Sequence, residues 1–332
     1  MENETKLVNK VKRLLRRLGC PRWLHHFGPK KYEFLEHLQA LLMRTFCRLS
    51  YRRIVQLFDL LGQRVPSKSA LQYTSAKLNS DFWNKVLKAT SGQAYVVAID
   101  STGLSMTNPS YHYLKRIDGK MPKIPVKLSV AFDTRRKKFC AAKIRVLPAH
   151  DIKDAKFLLQ KSESKIAVAD KAYNAEKLFQ FAHEQGTVLM VPEKSNAKRG
   201  FFRKKSQKLF RTRTYHRREM VESGNSSIKR KFGSSVSSKK ARTIRSEIYG
   251  RLACHNIFFW ISRLLGQSLL TPNPFRQEII FNWSSARRGF FITLFPLAKE
   301  AITNALKVCA LDGGLAILTL RLVAFFTVII QN

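Results

Sequence analysis

Two short apolar stretches, AYVVAID at residues 94–100 and KIAVAD at residues 165–170, decide the fold. Each has the length and the aliphatic content of a buried strand, and each ends in an aspartate. As first and fourth strands of one sheet they would be parallel neighbours, and the carboxyl ends of such strands form the edge where α/β proteins build their sites. The stretches therefore predict that Asp100 and Asp170 lie close together in space.

The elements around these strands indicate the fold class. Residues 126–132 and 139–146 alternate as the strands of a hairpin do, and helical patterns follow at residues 151–161 and 175–185. A fifth strand at residues 187–191 precedes a basic helix. This order resembles that of a ribonuclease-H-like domain, so we predict an α/β fold with a mixed sheet flanked by helices.

The first ninety residues have a helical period instead. Apolar residues recur three or four positions apart in four segments, at residues 6–18, 32–49, 52–61 and 70–78. The last two segments resemble a helix-turn-helix, with Ser67 or Ser69 as the N-cap of its second helix. A small helical bundle gives the same pattern, so base reading by residues 67–77 is one of two interpretations.

The chain is strongly basic. Its formal net charge is +39 and its sequence pI is near 10.5. This excess is more than solubility needs and indicates a polyanionic partner, with nucleic acid favoured over an acidic membrane surface. Because 45% of the residues are hydrophobic and 11% are aromatic, we expect a folded protein and not a disordered basic tail.

The cysteines and the C-terminal region indicate where in the cell the protein is located. Five cysteines are scattered without a C-x-x-C pair, which is typical of reduced thiols in the cytosol and not of a zinc site or a disulfide framework. Residues 313–330 are apolar and about long enough to span a bilayer, but Arg321 lies mid-segment, at a cost of about 2.5–3.5 kcal/mol on insertion scales. A buried helix, or a tail outside the working protein, is therefore favoured over a membrane span, and we expect a cytoplasmic protein.

A third acid lies in the run Tyr215-x2-Arg218-x3-Glu222-x6-Lys229. On one α-helix these four side chains fall at roughly 0°, 300°, 340° and 320°, so that they share a narrow stripe. Glu219 is the rival acid on the same helix, and spacing favours Glu222. From residue 194 to residue 245 there are eighteen Lys or Arg residues against these two acids, and such density is costly unless a polyanion neutralises it.

Asp100, Asp170 and Glu222 form a candidate metal site. Carboxylate oxygens without His or Cys are what Mg²⁺ or Mn²⁺ accepts, and they leave coordination positions for water and phosphate. An aspartate after a strand is also a common turn former or helix cap. That structural role is assigned to Asp118, Asp133 and Asp151.

Three segments carry a resemblance to a known family. Residues 96–102 (VVAIDST), residues 169–173 (ADKAY) and the run from Tyr215 to Lys229 resemble the signature blocks of DDE insertion-sequence transposases with the YREK motif. The likeness covers about residues 95–260. Only 52 positions separate the second acid from the third, so the chain resembles the compact branch of the family, in which a basic loop, here residues 194–213, joins strand and helix directly.

The resemblance implies a mechanism and roles for these residues. It implies phosphoryl transfer with two Mg²⁺ or Mn²⁺ ions, in which Asp100 contacts both ions and Asp170 and Glu222 one each. Water would cleave DNA at the element's end, and the freed 3′-hydroxyl would then attack target DNA. Tyr215, Arg218 and Lys229 would hold the backbone of the terminal DNA.

We therefore expect the transposase of a prokaryotic insertion sequence, associated with the nucleoid and working as a homodimer on terminal inverted repeats and target DNA. The expected domains are a helical DNA-binding region at residues 1–92, a catalytic domain at residues 93–265 and a tail at residues 266–332. Two alternatives stay open. One is a decayed transposase that only binds DNA as a repressor, and the other is a ribonuclease-H-like nuclease or resolvase without strand transfer.

Overall fold

A computed structural model gives the fold, and it describes residues 6–25, 27, 30–106, 126–147, 149–194 and 199–270. Contacts within the chain group residues 1–55 and 65–258 into one compact unit and residues 56–64 and 259–332 into a second. The elements that build the site belong to the first unit. Among the described residues no helix is long and apolar enough to cross a bilayer, and the apolar stretch at 313–330 lies outside those residues.

Helices come before the sheet, as the periodicity predicts. In the described part of the chain they are α1 (Lys6–Arg17), α2 (Phe34–Cys47), α3 (Tyr51–Leu60), α4 (Lys68–Lys77) and α5 (Ser80–Ser91). The first four match the predicted segments to within two residues at each end. Ser67 caps α4, because its side chain accepts a hydrogen bond from the backbone N–H of Ala70. Recognition of DNA by α4 stays a prediction.

The sheet is mixed and has the predicted topology. Its strands are β1 (Val96–Met106), β2 (Val126–Asp133), β3 (Lys138–Arg145), β4 (Ile166–Ala169), β5 (Val188–Met190) and β6 (Ser235–Val236). The order is β3-β2-β1-β4-β5, with β6 beside the far end of β1. β1 pairs antiparallel with β2 and parallel with β4, and β4 pairs parallel with β5. The predicted fold class is confirmed, and the first and fourth strands are neighbours.

β1 is longer than predicted, and this changes the position of Asp100. The apolar run stops at Ile99, but β1 continues to Met106 and pairs with β2 as far as Leu104. Hydrophobicity alone misses this extension, because Ser101 and Thr102 are polar while the ladder to β2 keeps their backbone extended. Asp100 is therefore inside β1, immediately beyond its pairing with the shorter β4, and not at the end of the strand.

Six further helices flank the sheet in the described part of the chain. They are α6 (Ile152–Ser162), α7 (Glu176–Glu184), α8 (Phe201–Lys208), α9 (Thr212–Tyr215), α10 (Glu219–Phe232) and α11 (Ala241–Leu270). Leu158 of α6 and Phe179 of α7 are buried in one core with Ile99 of β1 and Ala169 of β4. The basic loop predicted at residues 194–213 is wrong in part, since α8 forms within it around the partly buried Phe202.

The basic helix is also interrupted. A 3₁₀ turn at His216–Arg218 separates α9 from α10, so the single α-helical stripe from Tyr215 to Lys229 is wrong in detail. Short 3₁₀ turns are common at the first turn of an α-helix, and a periodicity of apolar residues does not reveal them. At about 120° per residue instead of 100°, three such residues rotate Tyr215 by roughly 60° relative to the ideal stripe.

Packing against the sheet overrides poor helix propensity within α10. Gly224, Asn225, Ser226 and Ser227 are weak helix formers, yet the helix continues through them to Phe232. Gly224 is buried against Phe132 of β2, so closely that a Cβ at residue 224 would meet Phe132 Cε2 at 2.8 Å. The missing side chain is what allows α10 to approach the sheet.

Candidate active site

The register of the sheet places Asp100 and Asp170 side by side. The last parallel pair between β1 and β4 joins Ile99 to Ala169, and the next residue on each chain is an aspartate. Asp170 leaves the sheet and starts a 3₁₀ turn, where its carboxylate accepts a hydrogen bond of 2.7 Å from the Lys171 backbone N–H. The register thus gives the two acids neighbouring positions where β4 ends, with Asp100 inside the longer β1.

Asp100 is partly buried, and its surroundings act on its charge. Burial is the main influence and raises the pKa of this carboxyl above its usual value, and the nearby carboxylate of Glu222 raises it further. The Ser101 backbone N–H, the Arg218 guanidinium and the Asn225 side chain oppose the rise. Because the pKa of Asp100 is raised overall, the surrounding groups do not fully offset the cost of burying its ionised carboxylate.

Arg218 interacts with all three predicted acids. Its Nη2 lies 2.9 Å from Glu222 Oε1, one turn along the helix, and it is coupled electrostatically to Asp100 and Asp170. Burial by itself lowers the pKa of Arg218, but the acids and Tyr215 together raise it above its usual value. Arg218 therefore balances the charge of the acidic cluster in this structure.

The other members of the run lie on either side of Arg218. Tyr215 is hydrogen bonded to Arg218, and burial raises the pKa of its hydroxyl. Lys229 is seven residues beyond Glu222, about 10 Å further along the helix axis. Glu219, the rival acid, has a side chain that is 76% exposed and lies 4.0 Å from the His216 ring, whereas Glu222 interacts with Asp100 and Arg218.

A series of hydrogen bonds connects Ser101, the residue after Asp100, with Tyr173 and with Asp154, and the sequence patterns predict no role for these side chains. Ser101 Oγ lies 3.1 Å from Tyr173 Oη and 2.9 Å from Ser129 Oγ. Ser129 donates to the fully buried carboxylate of Asp154, which also accepts a 2.6 Å hydrogen bond from Arg145 Nε. These hydrogen bonds connect Ser101, the residue after Asp100, to Tyr173 in the turn after Asp170. Ser101 and Tyr173 lie within residues 96–102 and 169–173, but the spacing of residues in these stretches does not indicate that the two side chains meet.

Asn225 was also missed as part of the site. It lies one helical turn after Glu222, and its Nδ2 donates a 3.1 Å hydrogen bond to Asp100 Oδ2. Its position three residues after the third acid was the available signal, because residues three apart on a helix face the same side.

The carboxylate oxygens of the three predicted acids are suitable ligands for a divalent cation, but the three side chains do not converge on one point. Among the described residues no three His, Cys, Asp or Glu side chains are close enough together to hold a metal ion. Glu222 is paired with Arg218 instead, and its side chain is 56% exposed. The donors available are hard carboxylate oxygens, and the undercompensated charge of Asp100 favours a cation beside it.

A comparison with protein families identifies the domain that carries these residues. The family model described as a transposase DDE domain matches residues 91–257, half of the chain. The chain belongs to this transposase family. All three acids, the 3₁₀ turn and the hydrogen-bonded chain behind them lie within the matched transposase domain.

Two further comparisons stand beside this one. A solved cryo-EM structure, a piggyBac transposase synaptic complex with hairpin DNA, is 10% identical in sequence with a TM-score of 0.34. The match covers 88% of this chain and 84% of that one, and a likeness at this level carries no argument about the transposase described here. No curated protein matches the chain.

Proposed function

We propose that this transposase cuts DNA at the ends of a prokaryotic insertion sequence and joins the freed 3′ ends to target DNA, with divalent metal as cofactor. The observation that supports this most strongly is the register of the sheet, in which Asp100 and Asp170 follow the last β1–β4 pair inside the matched transposase domain. Glu222 on α10 is the third acid, because it interacts with Asp100 while Glu219 is directed to solvent.

Asp100, Asp170 and Glu222 would hold two Mg²⁺ or Mn²⁺ ions. Bound ions of this kind activate the attacking oxygen and neutralise charge on the leaving oxygen of a phosphodiester. The protein contributes by holding these carboxylates in position. β1 and β4 hold the two aspartates at neighbouring places in a buried sheet. The exposed Glu222 side chain, now paired with Arg218, would complete the set by leaving that partner.

Arg218 then changes partner. Arg218 pairs with Glu222 and is coupled to both aspartates. With cations bound to these carboxylates instead, its guanidinium would be free to grip a phosphate of the terminal DNA with two parallel hydrogen bonds. Tyr215 and Lys229 would hold the same backbone on either side. These contacts position the DNA and do not read its sequence.

The arrangement supports assignment to the YREK group and to its compact branch. Between β5 and α10 the described residues contain only the short helices α8 and α9 and the 3₁₀ turn, and the segment is rich in Lys and Arg. We propose further that the helices before residue 93 bind the terminal repeats, that residues 93–265 are catalytic, and that two copies assemble on DNA at the nucleoid in the cytoplasm. The net charge of +39 favours such a polyanionic partner.

The test is a reaction with the DNA that flanks the reading frame. Linear DNA carrying the flanking inverted repeats is incubated with the protein, Mg²⁺ and a supercoiled plasmid. The proposal predicts 3′-hydroxyl ends at the repeats and products joined to the plasmid. Binding without nicking would indicate a repressor, and cleavage of branched or hybrid substrates without joining would indicate a nuclease or resolvase.

A further inference from the structure

Asn225 holds a position that stability alone does not explain. Its side chain is 6% exposed, and it lies on α10 between the acid-bearing helix face and β1. Its Nδ2 donates to Asp100 Oδ2, which ties the helix of Glu222 to the strand of Asp100. This is a direct side-chain link between the two elements that carry the first and third acids.

The bonding of Asn225 differs from that of the other buried asparagines in the described residues. Asn256 donates to and accepts from the backbone of Phe139, and Asn84 and Asn174 likewise use both ends of their amides. Asn225 alone in this set leaves its Oδ1 buried without a hydrogen-bond partner. The other buried asparagines among the described residues thus use both ends of their amides, and Asn225 does not.

The energetics point to a role other than stability. Leaving a buried amide oxygen unpaired costs about as much as a hydrogen bond to a carboxylate returns. Asparagine is also a poor helix former. An apolar residue of the same size would therefore serve the fold at least as well, and what it would lose is the hydrogen bond to Asp100.

We propose that Asn225 is a positioning residue for the Asp100 carboxylate, holding Oδ2 so that the remaining lone pairs are presented to a divalent cation. A carboxylate has about four acceptor positions, so one amide donor leaves room for metal. The amide does not titrate, and it keeps the orientation of the carboxylate whether or not metal is bound. The inference rests on the proposed function, in which Asp100 is a metal ligand. Hydrogen bonds of this kind orient the ligands of a metal, and their loss typically weakens metal affinity about 10-fold to 100-fold.

The test uses Asn225→Leu, with Asn84→Leu as its matched control. Asn84 is equally buried but fully bonded, to Ser80, Tyr249 and the Ala142 backbone. For the full chain, Mn²⁺ affinity is measured by electron paramagnetic resonance titration, and thermal unfolding is measured without metal. Asn225→Leu should bind Mn²⁺ about 10-fold to 100-fold more weakly with an unchanged or higher melting temperature. Asn84→Leu should melt at a lower temperature with unchanged Mn²⁺ affinity.

The outcomes separate this inference from the proposed function. If the wild type binds no Mn²⁺, or Asp100→Asn binds it as the wild type does, the proposed function fails and the inference fails with it. If Asp100→Asn loses Mn²⁺ while Asn225→Leu and Asn225→Ala bind it normally, only the role of Asn225 is overturned. A fold that collapses in both variants would equally overturn it, because stability would then explain the residue.

Discussion

Ser101 Oγ and Tyr173 Oη lie 3.1 Å apart, and their hydrogen bond joins the residue after Asp100 to the 3₁₀ turn that follows Asp170. Tyr173 is buried, and burial raises the pKa of its hydroxyl, so it stays protonated and available as a donor. The link fixes the relative positions of the two chain segments that present the aspartates. Metal affinity should therefore depend on the Tyr173 hydroxyl, although Tyr173 is not itself a proposed metal ligand.

Tyr173→Phe tests this link. The ring still fills its place, so the fold should survive with a loss of about 1 kcal/mol in the free energy of unfolding. Mn²⁺ affinity should fall, because the aspartates are no longer held in register by side chains. Tyr249→Phe is the matched control, since Tyr249 is buried and hydrogen bonded to the Ala142 carbonyl and to Asn84. Equal Mn²⁺ affinity in the two variants would count against the link.

Arg218→Ala should separate metal binding from DNA binding. The Arg218 guanidinium is a positive charge next to the carboxylates and would compete with a metal ion for them. Without it, Mn²⁺ should bind more tightly to the DNA-free protein. Binding of DNA ends should weaken, and the slope of log affinity against log salt should become shallower by about 0.9. The exposed neighbour Arg217 supplies the control, as Arg217→Ala should leave Mn²⁺ affinity unchanged. Weaker Mn²⁺ binding in Arg218→Ala would refute the competition.

Gly224→Ala should destabilise the protein although alanine is the better helix former. The gain in propensity is about 0.8–1 kcal/mol. It is outweighed by a Cβ that would lie 2.8 Å from Phe132 Cε2, since overpacking costs about 1–3 kcal/mol. In Gly250→Ala the new Cβ would meet the Thr45 hydroxyl at the longer distance of 3.3 Å, so this comparison variant should be destabilised less than Gly224→Ala. Urea unfolding of both variants decides the matter, and a more stable Gly224→Ala would contradict the close packing.

Asp100→Asn should change the pH dependence of stability. Burial raises the pKa of Asp100 in the folded state, so its neutral form is favoured there. The stabilisation that this gives is fully present below the unfolded-state pKa and is lost as the pH rises through the folded-state pKa. At about pH 7 the metal-free variant should therefore unfold at a higher urea concentration than the wild type, and near pH 3 the two should converge. Mn²⁺ should reverse the order at neutral pH, because only the wild type would gain stability by binding it. A metal-free variant less stable than the wild type at pH 7 would contradict the assignment.

Much of the fold follows from hydrophobic period alone. The strand segments before Asp100 and Asp170 are apolar because both faces of the sheet are covered, and their order along the chain indicates which strands are neighbours. The extension of β1 through Ser101 and Thr102 was not predictable in the same way. Its residues are polar, and the ladder to β2 holds them in the sheet.

Only those features of the site that depend on the spacing of residues along the chain could be predicted from the sequence. The register of β1 and β4 brings the aspartates together, and helical spacing favours Glu222 over Glu219. Tyr173 and Asn225 were missed because a hydrogen bond between side chains distant in sequence leaves no periodic trace. The pairing of Arg218 with Glu222 follows from their spacing of four residues, but the coupling of Arg218 to both aspartates needed the three-dimensional fold.

The most direct measurement of the central claim is Mg²⁺-dependent cleavage at the flanking repeats by single carboxylate variants, with DNA binding measured on the same samples. Asp100→Asn, Asp170→Asn and Glu222→Gln should lose cleavage while DNA binding is retained or improved, because removal of a negative charge does not impair contact with phosphate. Glu219→Gln, on the same helix but exposed, should cleave as the wild type does. Full cleavage by any of the first three variants, or its loss in Glu219→Gln alone, would contradict the account.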